Sequence, residues 1–234
     1  VTLVDEAAVL GIALTDAHEA QFDIYTRELA AWNAHTNLTA ITAPDEVRVR
    51  HFLDSLTVAR FVPMRPGLRV IDVGTGAGFP GLPLKIVYPE INLTLLEATG
   101  KKIAFLSHMV ETLKLQGVTL LNARAEDAGQ MPDQRGAYDV VLARAVARLP
   151  ALLEYLLPLA QVGGVCVALK GKTAQEEAAD STHALNELRG RIQGIESVSL
   201  PGVEEQHYLI IVEKTAPTPA AYPRKPGVPT KKPL

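Results

Sequence analysis

Apolar positions change their spacing along this chain. Over residues 1–62 they recur at three- and four-residue intervals, and Phe22, Tyr25, Leu29 and Trp32 fall on one face of a helix. Asp16 followed by Glu19 reads as a capping box opening that helix. Asn37-Leu38-Thr39 interrupts the pattern, and Pro44 suits the first turn of a second helix. That helix carries Val47, Leu53, Leu56 and Val58 for burial, and Arg48, Arg50, His51 and Asp54 as polar residues. The aromatic stripe reads as a packing face.

After Pro63 and Pro66 short β-branched or Leu-rich runs take over, near 69–73, 92–97, 118–123, 138–143 and 163–169. Helical stretches lie between them, near 80–88, 100–116, 148–161 and 173–193. Strands alternating with helices predict right-handed βαβ units and a parallel sheet. Two more runs, near 195–200 and 207–213, are separated by Pro201-Gly202 and predict a hairpin that adds an antiparallel strand. From Ala216 onward, prolines 217, 219, 223, 226, 229 and 233 are expected to exclude regular structure and leave a mobile tail. The chain thus divides into a helical extension (1–62), an α/β domain (63–214) and a Pro-rich tail (215–234).

Composition adds one asymmetry. The formal net charge of -3 disfavours a polyanion binder, yet Lys214, Arg224, Lys225, Lys231 and Lys232 form a C-terminal stretch without any acid. The remainder carries -8, the total of -3 less those five positive charges. The single cysteine, Cys166, excludes an intrachain disulfide and a cysteine-based metal site, and its apolar surroundings mark it as a core thiol. His18, His108 and His183 lack metal-ligand spacing, and no Ser-His-Asp, Walker or zinc signature is present. The first residues lack the basic region of a secretory signal, and no apolar run is long enough to span a bilayer, so a cytoplasmic protein is expected.

The candidate chemistry gathers on Val70-Ile71-Asp72-Val73-Gly74-Thr75-Gly76-Ala77-Gly78-Phe79-Pro80-Gly81. A strand feeds a carboxylate, then glycines that let backbone N–H groups approach a ligand, then an amphipathic helix. Asp72, the glycine turn, Glu97, Ala125-Glu126 and Arg144 all fall at predicted strand ends, where doubly wound sheets bind ligands. Gly76-x-Gly78-x-x-Gly81 with Glu97 downstream formally satisfies a dinucleotide fingerprint. Two features oppose it. Asp72 stands where that fingerprint is apolar, and the chain leaves no room for a hydride-acceptor domain. A carboxylate before a Gly-x-Gly turn suits a ligand with an amino group, such as S-adenosylmethionine. On this reading Asp72, Gly76 and Gly78 belong to the cofactor site, and Gly76→Val is expected to abolish binding.

The chain resembles the bacterial 16S rRNA guanine-N7 methyltransferase G family, also called glucose-inhibited division protein B. The motifs are Asn37-Leu38-Thr39-Ala40-Ile41, Arg50-His51-Phe52-Leu53-Asp54-Ser55-Leu56, the stretch 72–81, Arg144-Ala145-Val146-Ala147, Leu169-Lys170-Gly171 and Tyr222-Pro223-Arg224-Lys225-Pro226-Gly227. The resemblance implies a Rossmann-like class I methyltransferase with a seven-stranded, mostly parallel sheet. It also implies S-adenosylmethionine as cofactor and 16S rRNA, or an assembling small-subunit particle, as substrate. By position it adds Gly74, Phe79, Ala125, Glu126 and Arg144 to the cofactor site, with Glu97, Ala98 and Thr99 at the ribose. No metal, no membrane and a monomer are expected.

Enzymes that methylate exocyclic amines often carry an Asn/Asp-Pro-Pro-aromatic run after the fourth strand, where this chain reads Ala143-Arg144-Ala145-Val146. Guanine N7 offers a free lone pair, so no general base is required and none is assigned. Expected RNA contacts are Arg48, Arg50, His51, Lys170, Lys172, Arg224, Lys225, Lys231 and Lys232. Removing the tail after Pro219 is expected to weaken RNA binding and leave cofactor affinity unchanged. A methyltransferase with another substrate, or a non-catalytic nucleotide- or RNA-binding module, are the alternative readings.

Overall fold

The computed structural model describes residues 2–234. Helix α1 (Leu3–Val9) precedes α2 (Asp16–Thr36), which opens one residue before the predicted capping box. Thr15 is the cap: its hydroxyl accepts the His18 N–H at 3.3 Å while the His18 ring accepts the Thr15 N–H at 3.2 Å. Glu19 is drawn off to α1, where it accepts the Leu3 N–H at 3.2 Å. Phe22, Tyr25 and Leu29 are buried, and Trp32 packs on Phe105 at 5.6 Å between ring centroids. The chain leaves α2 at a left-handed Asn37, and the Asn33 side chain accepts the N–H groups of Leu38 and Thr39 at 2.6 and 2.9 Å.

Pro44 opens the next helix as expected. It is not uniform, however. Helix α3 (Pro44–Val47) passes into a π-helical turn over Arg48–Leu53, then α4 (Asp54–Leu56), then a 3-10 turn over Thr57–Arg60. A π turn changes which face the side chains present. His51 and Asp54, two of this helix's polar residues, are only 6% and 4% exposed.

The α/β part follows as β1 (Arg69–Val73), α5 (Gly81–Val87), β2 (Asn92–Leu96), α6 (Gly100–Thr112), β3 (Val118–Leu121), α7 (Ala125–Ala128), β4 (Tyr138–Arg144), α8 (Leu149–Leu156), β5 (Ala160–Lys170), α9 (Ala174–Asp180), α10 (Thr182–Leu188), β6 (Gly190–Val198) and β7 (His207–Lys214). The sheet order is β3-β2-β1-β4-β5-β7-β6. Only β7 runs against its neighbours, pairing antiparallel with both β5 and β6. The predicted helix at 173–193 is two helices, α9 and α10, meeting at buried Ser181, and it ends at left-handed Arg189. The strand order reverses between β1 and β4, which puts the ligand crevice beside the glycine turn.

The tail departs most from expectation. It is docked, and it ends in a short helix, α11 (Val228–Lys231), that accepts proline in its first turn. Prolines remove N–H donors but leave carbonyls as acceptors. Arg135 collects these, donating to the carbonyls of Thr218, Pro219 and Tyr222 at 2.8, 3.0 and 2.7 Å. Pro223 presses on Gly129, where an added Cβ would lie 2.7 Å from the proline ring. Lys214, counted with the tail's cations, is buried, and its ammonium donates to the carbonyls of Leu157 and Ala160.

Candidate active site

The glycine turn is pinned from several directions. Gly74, Gly76 and Gly78 take φ of 65°, 61° and 97°, values that disfavour any side chain. Asp72, fully buried at the end of β1, accepts the Thr75 hydroxyl at 2.6 Å and the Gly81 N–H at 2.8 Å through Oδ2. Its Oδ1 is buried with no partner among the described residues. Burial pushes the Asp72 carboxyl up to about 6. Glu97 braces the turn from β2: Oε2 accepts the Gly76 N–H at 3.1 Å and Oε1 the Thr99 N–H at 2.8 Å. From α2, the Tyr25 hydroxyl donates to the Ala77 carbonyl at 2.5 Å, so the N-terminal helices fix the turn as well.

A pocket of about 260 Å³ opens beside this turn. Five of the predicted cofactor residues line it: Gly74, Glu97, Ala98, Ala125 and Glu126. Asp72, Gly76 and Gly78 shape the turn without lining the pocket, and Thr99 caps α6. Phe79 is absent from the lining, because its ring is stacked between Tyr25 (5.3 Å) and His51 (4.4 Å) and is 4% exposed. Eight lining residues lie outside the predicted cofactor set: Val73, Leu96, Ala123 and Arg124 beside the strand ends, and Val146, Tyr155, Gly227 and Thr230 farther off in sequence. Gly227 and Thr230 belong to the tail, and the Gly227 N–H donates to Glu126 Oε1 at 2.8 Å. Tail and pocket wall are therefore one structure. Their link spans 101 residues, and only the Tyr222–Gly227 motif hinted at a fixed role.

A second cleft, of about 360 Å³, lies on the other side of residues 144–146. Ala145, held at φ 55°, lines this cleft, while its neighbour Val146 lines the pocket. Arg144 is the hub: it donates to the Arg50 carbonyl at 2.9 Å, to Asp54 Oδ2 at 3.1 Å and to His51 Nδ1 at 3.0 Å. Burial first, and Arg144 second, push the His51 imidazole down to about 4, so it is neutral near pH 7. Nδ1 lies 3.0 Å from the Arg144 guanidinium, which only donates, and 3.2 Å from the Arg50 carbonyl, which Arg144 already satisfies; Nδ1 is then the acceptor and Nε2 carries the proton, toward the Thr39 hydroxyl at 2.8 Å. Asp54 also holds His207, at 3.0 Å from Oδ1. The Arg144 charge is thus matched by Asp54, with Phe79 stacked 5.1 Å away. The Asp54–His207 pair went unrecognised because 153 residues separate its members.

The predicted RNA contacts divide. Lys172, Lys225, Lys231 and Lys232 are exposed and make no ion pair among the described residues. The others are engaged. Arg48 pairs with Glu6 and Asp45 at 2.8 and 2.7 Å, Arg50 with Glu205 at 3.1 Å, and Lys170 with Glu177 at 2.8 Å. Arg224 is bound to Glu154, which is fully buried, at 2.6 Å, and His51 is uncharged. Among the described residues no acid/His/Cys cluster suits a metal ion, and no helix is long and apolar enough to cross a membrane.

A family model described as GidB, rRNA small subunit methyltransferase G, matches residues 18–208. The chain belongs to this family. The match includes the glycine turn and the Arg144 hub but stops before the tail. A full-length relative, ribosomal RNA small subunit methyltransferase G of Roseiflexus castenholzii, is 50% identical over 224 residues, 96% of this chain and 95% of its own. Its counterpart in Halalkalibacterium halodurans is 47% identical over 224 residues, covering 96% and 94%. Among solved structures, a SAM dependent methyltransferase from Aquifex aeolicus superposes with a TM-score of 0.54 at 17% identity, covering 73% of this chain and 93% of its own. That likeness concerns the fold, the Rossmann-like methyltransferase sheet predicted above.

Proposed function

We propose that this protein transfers a methyl group from S-adenosylmethionine to N7 of a guanosine in bacterial 16S rRNA. The observation that carries the reading is the family match, which spans the cleft and all of the pocket lining except Gly227 and Thr230. The residues fit the cofactor. Asp72, buried behind the turn, holds it through Thr75 and Gly81, and the glycines leave a side-chain-free approach. Glu97 at the end of β2 suits a ribose diol, and Glu126 the adenine. When bound, the cofactor supplies an electrophilic sulfonium methyl.

The cleft beyond Ala145 would take the target base. Guanine N7 has a lone pair and no proton to lose, so the residues here need only hold the base in line and exclude water. Arg144, neutralised by Asp54, orients without opposing the positive charge that builds on the purine. His51, uncharged and stacked on Phe79, forms part of the floor. Exposed Lys172, Lys225, Lys231 and Lys232 would neutralise phosphates. We place the protein in the cytoplasm as a monomer, with 1–62 shaping the RNA site, 63–214 carrying the chemistry and 215–234 completing the cofactor pocket. Mapping N7-methylguanosine in 16S rRNA from cells with and without this protein tests the reading. One modification should vanish in its absence, and an identical pattern would overturn it.

A further inference from the structure

We propose that residues 223–230 are a built wall of the nucleoside pocket, whose task is to hold Glu126 so that it selects an exocyclic amine. The inference rests on the cofactor reading above and goes beyond it to the segment outside the matched region. Glu126 is 6% exposed. Its Oε1 accepts the Gly227 N–H at 2.8 Å, while Oε2 has no hydrogen-bond partner among the described residues and belongs to a side chain that lines the pocket. A carboxylate with one oxygen tied and the other free offers an acceptor to the ligand. It therefore welcomes the amine of adenine and repels the carbonyl that hypoxanthine carries in its place.

The wall is anchored from behind. Glu154 lies on α8 with 0% side-chain exposure, and Arg224 meets it with Nη2 at 2.6 Å and with its own backbone N–H at 2.7 Å. Leaving a buried carboxylate unpaired is strongly unfavourable, so the segment is held in place and does not act as a loose lid. Pro223 closes on Gly129, one residue after the helix α7 that carries Glu126. Sequence, anchor and acceptor thus serve one position. Thr230 and Tyr155 complete the lining beside Gly227.

The test is calorimetric titration of adenosine, inosine and S-adenosylhomocysteine into the full-length chain. Wild type should bind S-adenosylhomocysteine and prefer adenosine to inosine. Gly227→Pro deletes the N–H that holds Glu126 and, because proline cannot take the φ of 81° found there, also displaces the wall. A second variant, Arg224→Gln with Glu154→Gln, loosens the anchor without stranding a buried charge, which guards against simple misfolding. Both should cut the adenosine preference by about tenfold. An unchanged preference in both variants, or an equal loss for the two nucleosides, would overturn the proposal. Failure of wild type to bind S-adenosylhomocysteine would instead remove the cofactor reading, and this inference with it.

Discussion

Burial moves the titration of Asp72 and of His51 out of their ordinary ranges, in opposite senses. His51 titrates near 6.5 when unfolded and about 4 when folded, so between those values the unfolded chain binds more protons and stability falls as pH drops. Asp72 is raised from 3.8 to about 6, so the folded chain binds more protons between those values and stability falls as pH rises. Between about pH 4 and 6 the two contributions oppose each other, so replacing His51 by Gln should leave that of Asp72 uncompensated and turn the urea-midpoint profile toward a fall with rising pH; a slope equal to wild type would contradict the neutral, buried imidazole. Replacing Asp72 by Asn should hold or raise the midpoint at neutral pH while weakening S-adenosylmethionine binding about tenfold by calorimetry. Undiminished binding would show that the turn keeps its shape without this carboxylate. The glycines of the turn also separate at this scale. A Cβ on Gly78 would lie 2.5 Å from Leu82 and from the Tyr25 hydroxyl, whereas one on Gly76 meets nothing nearer than 4.0 Å. Gly78→Ala should therefore lower the melting temperature more than Gly76→Ala, with Gly76→Ala the cleaner loss of cofactor affinity. The reverse order of melting temperatures would refute the packing argument. The sequence treats these glycines alike, since spacing carries no information about what stands opposite each one.

Elements were legible where one local signal governs them. Each parallel strand is a short β-branched or Leu-rich run between turn residues, and β1 was placed at its observed bounds because its burial and the glycine turn agree. The π turn over Arg48–Leu53 was not legible, because its residues fit a regular helix and only packing against Phe79 and Arg144 draws His51 inward. The tail misled for a related reason. Proline density does exclude ladders, yet its ordering depends on Arg135, more than 80 residues away, which also donates to the Gly129 carbonyl at 2.7 Å. Arg135→Met should leave the sheet intact and free the tail. Tryptic cleavage after Arg224 should then run at least several times faster than in wild type, in line with a shifted local opening equilibrium. An unchanged rate would mean that Arg224 and Glu154 hold the tail alone.

Across the whole molecule, charge and cofactor site meet in one segment. Of the five cations read as a basic tail, Lys214 is buried and Arg224 is paired, which leaves Lys225, Lys231 and Lys232 exposed. Those three flank Gly227 and Thr230, which line the pocket proposed for the cofactor. Phosphates drawn to the lysines would therefore act on the same backbone that holds Glu126. Two ligands that favour one arrangement of a shared element assist each other, and by equal factors in both directions. On this proposal tail removal should cost cofactor affinity, against the expectation from sequence. Adding a 16S rRNA fragment should tighten S-adenosylhomocysteine binding several-fold, and the cofactor product should tighten RNA binding by the same factor. Lys231→Gln with Lys232→Gln should reduce that coupling and lower the salt slope of RNA binding by roughly 2, about 0.9 per lost phosphate contact. Cofactor affinity without RNA should stay at the wild-type value, because neither lysine lines the pocket. A reduced salt slope with the coupling intact would place the RNA on the lysines but carry the signal elsewhere, through the Arg144 hub that divides pocket from cleft.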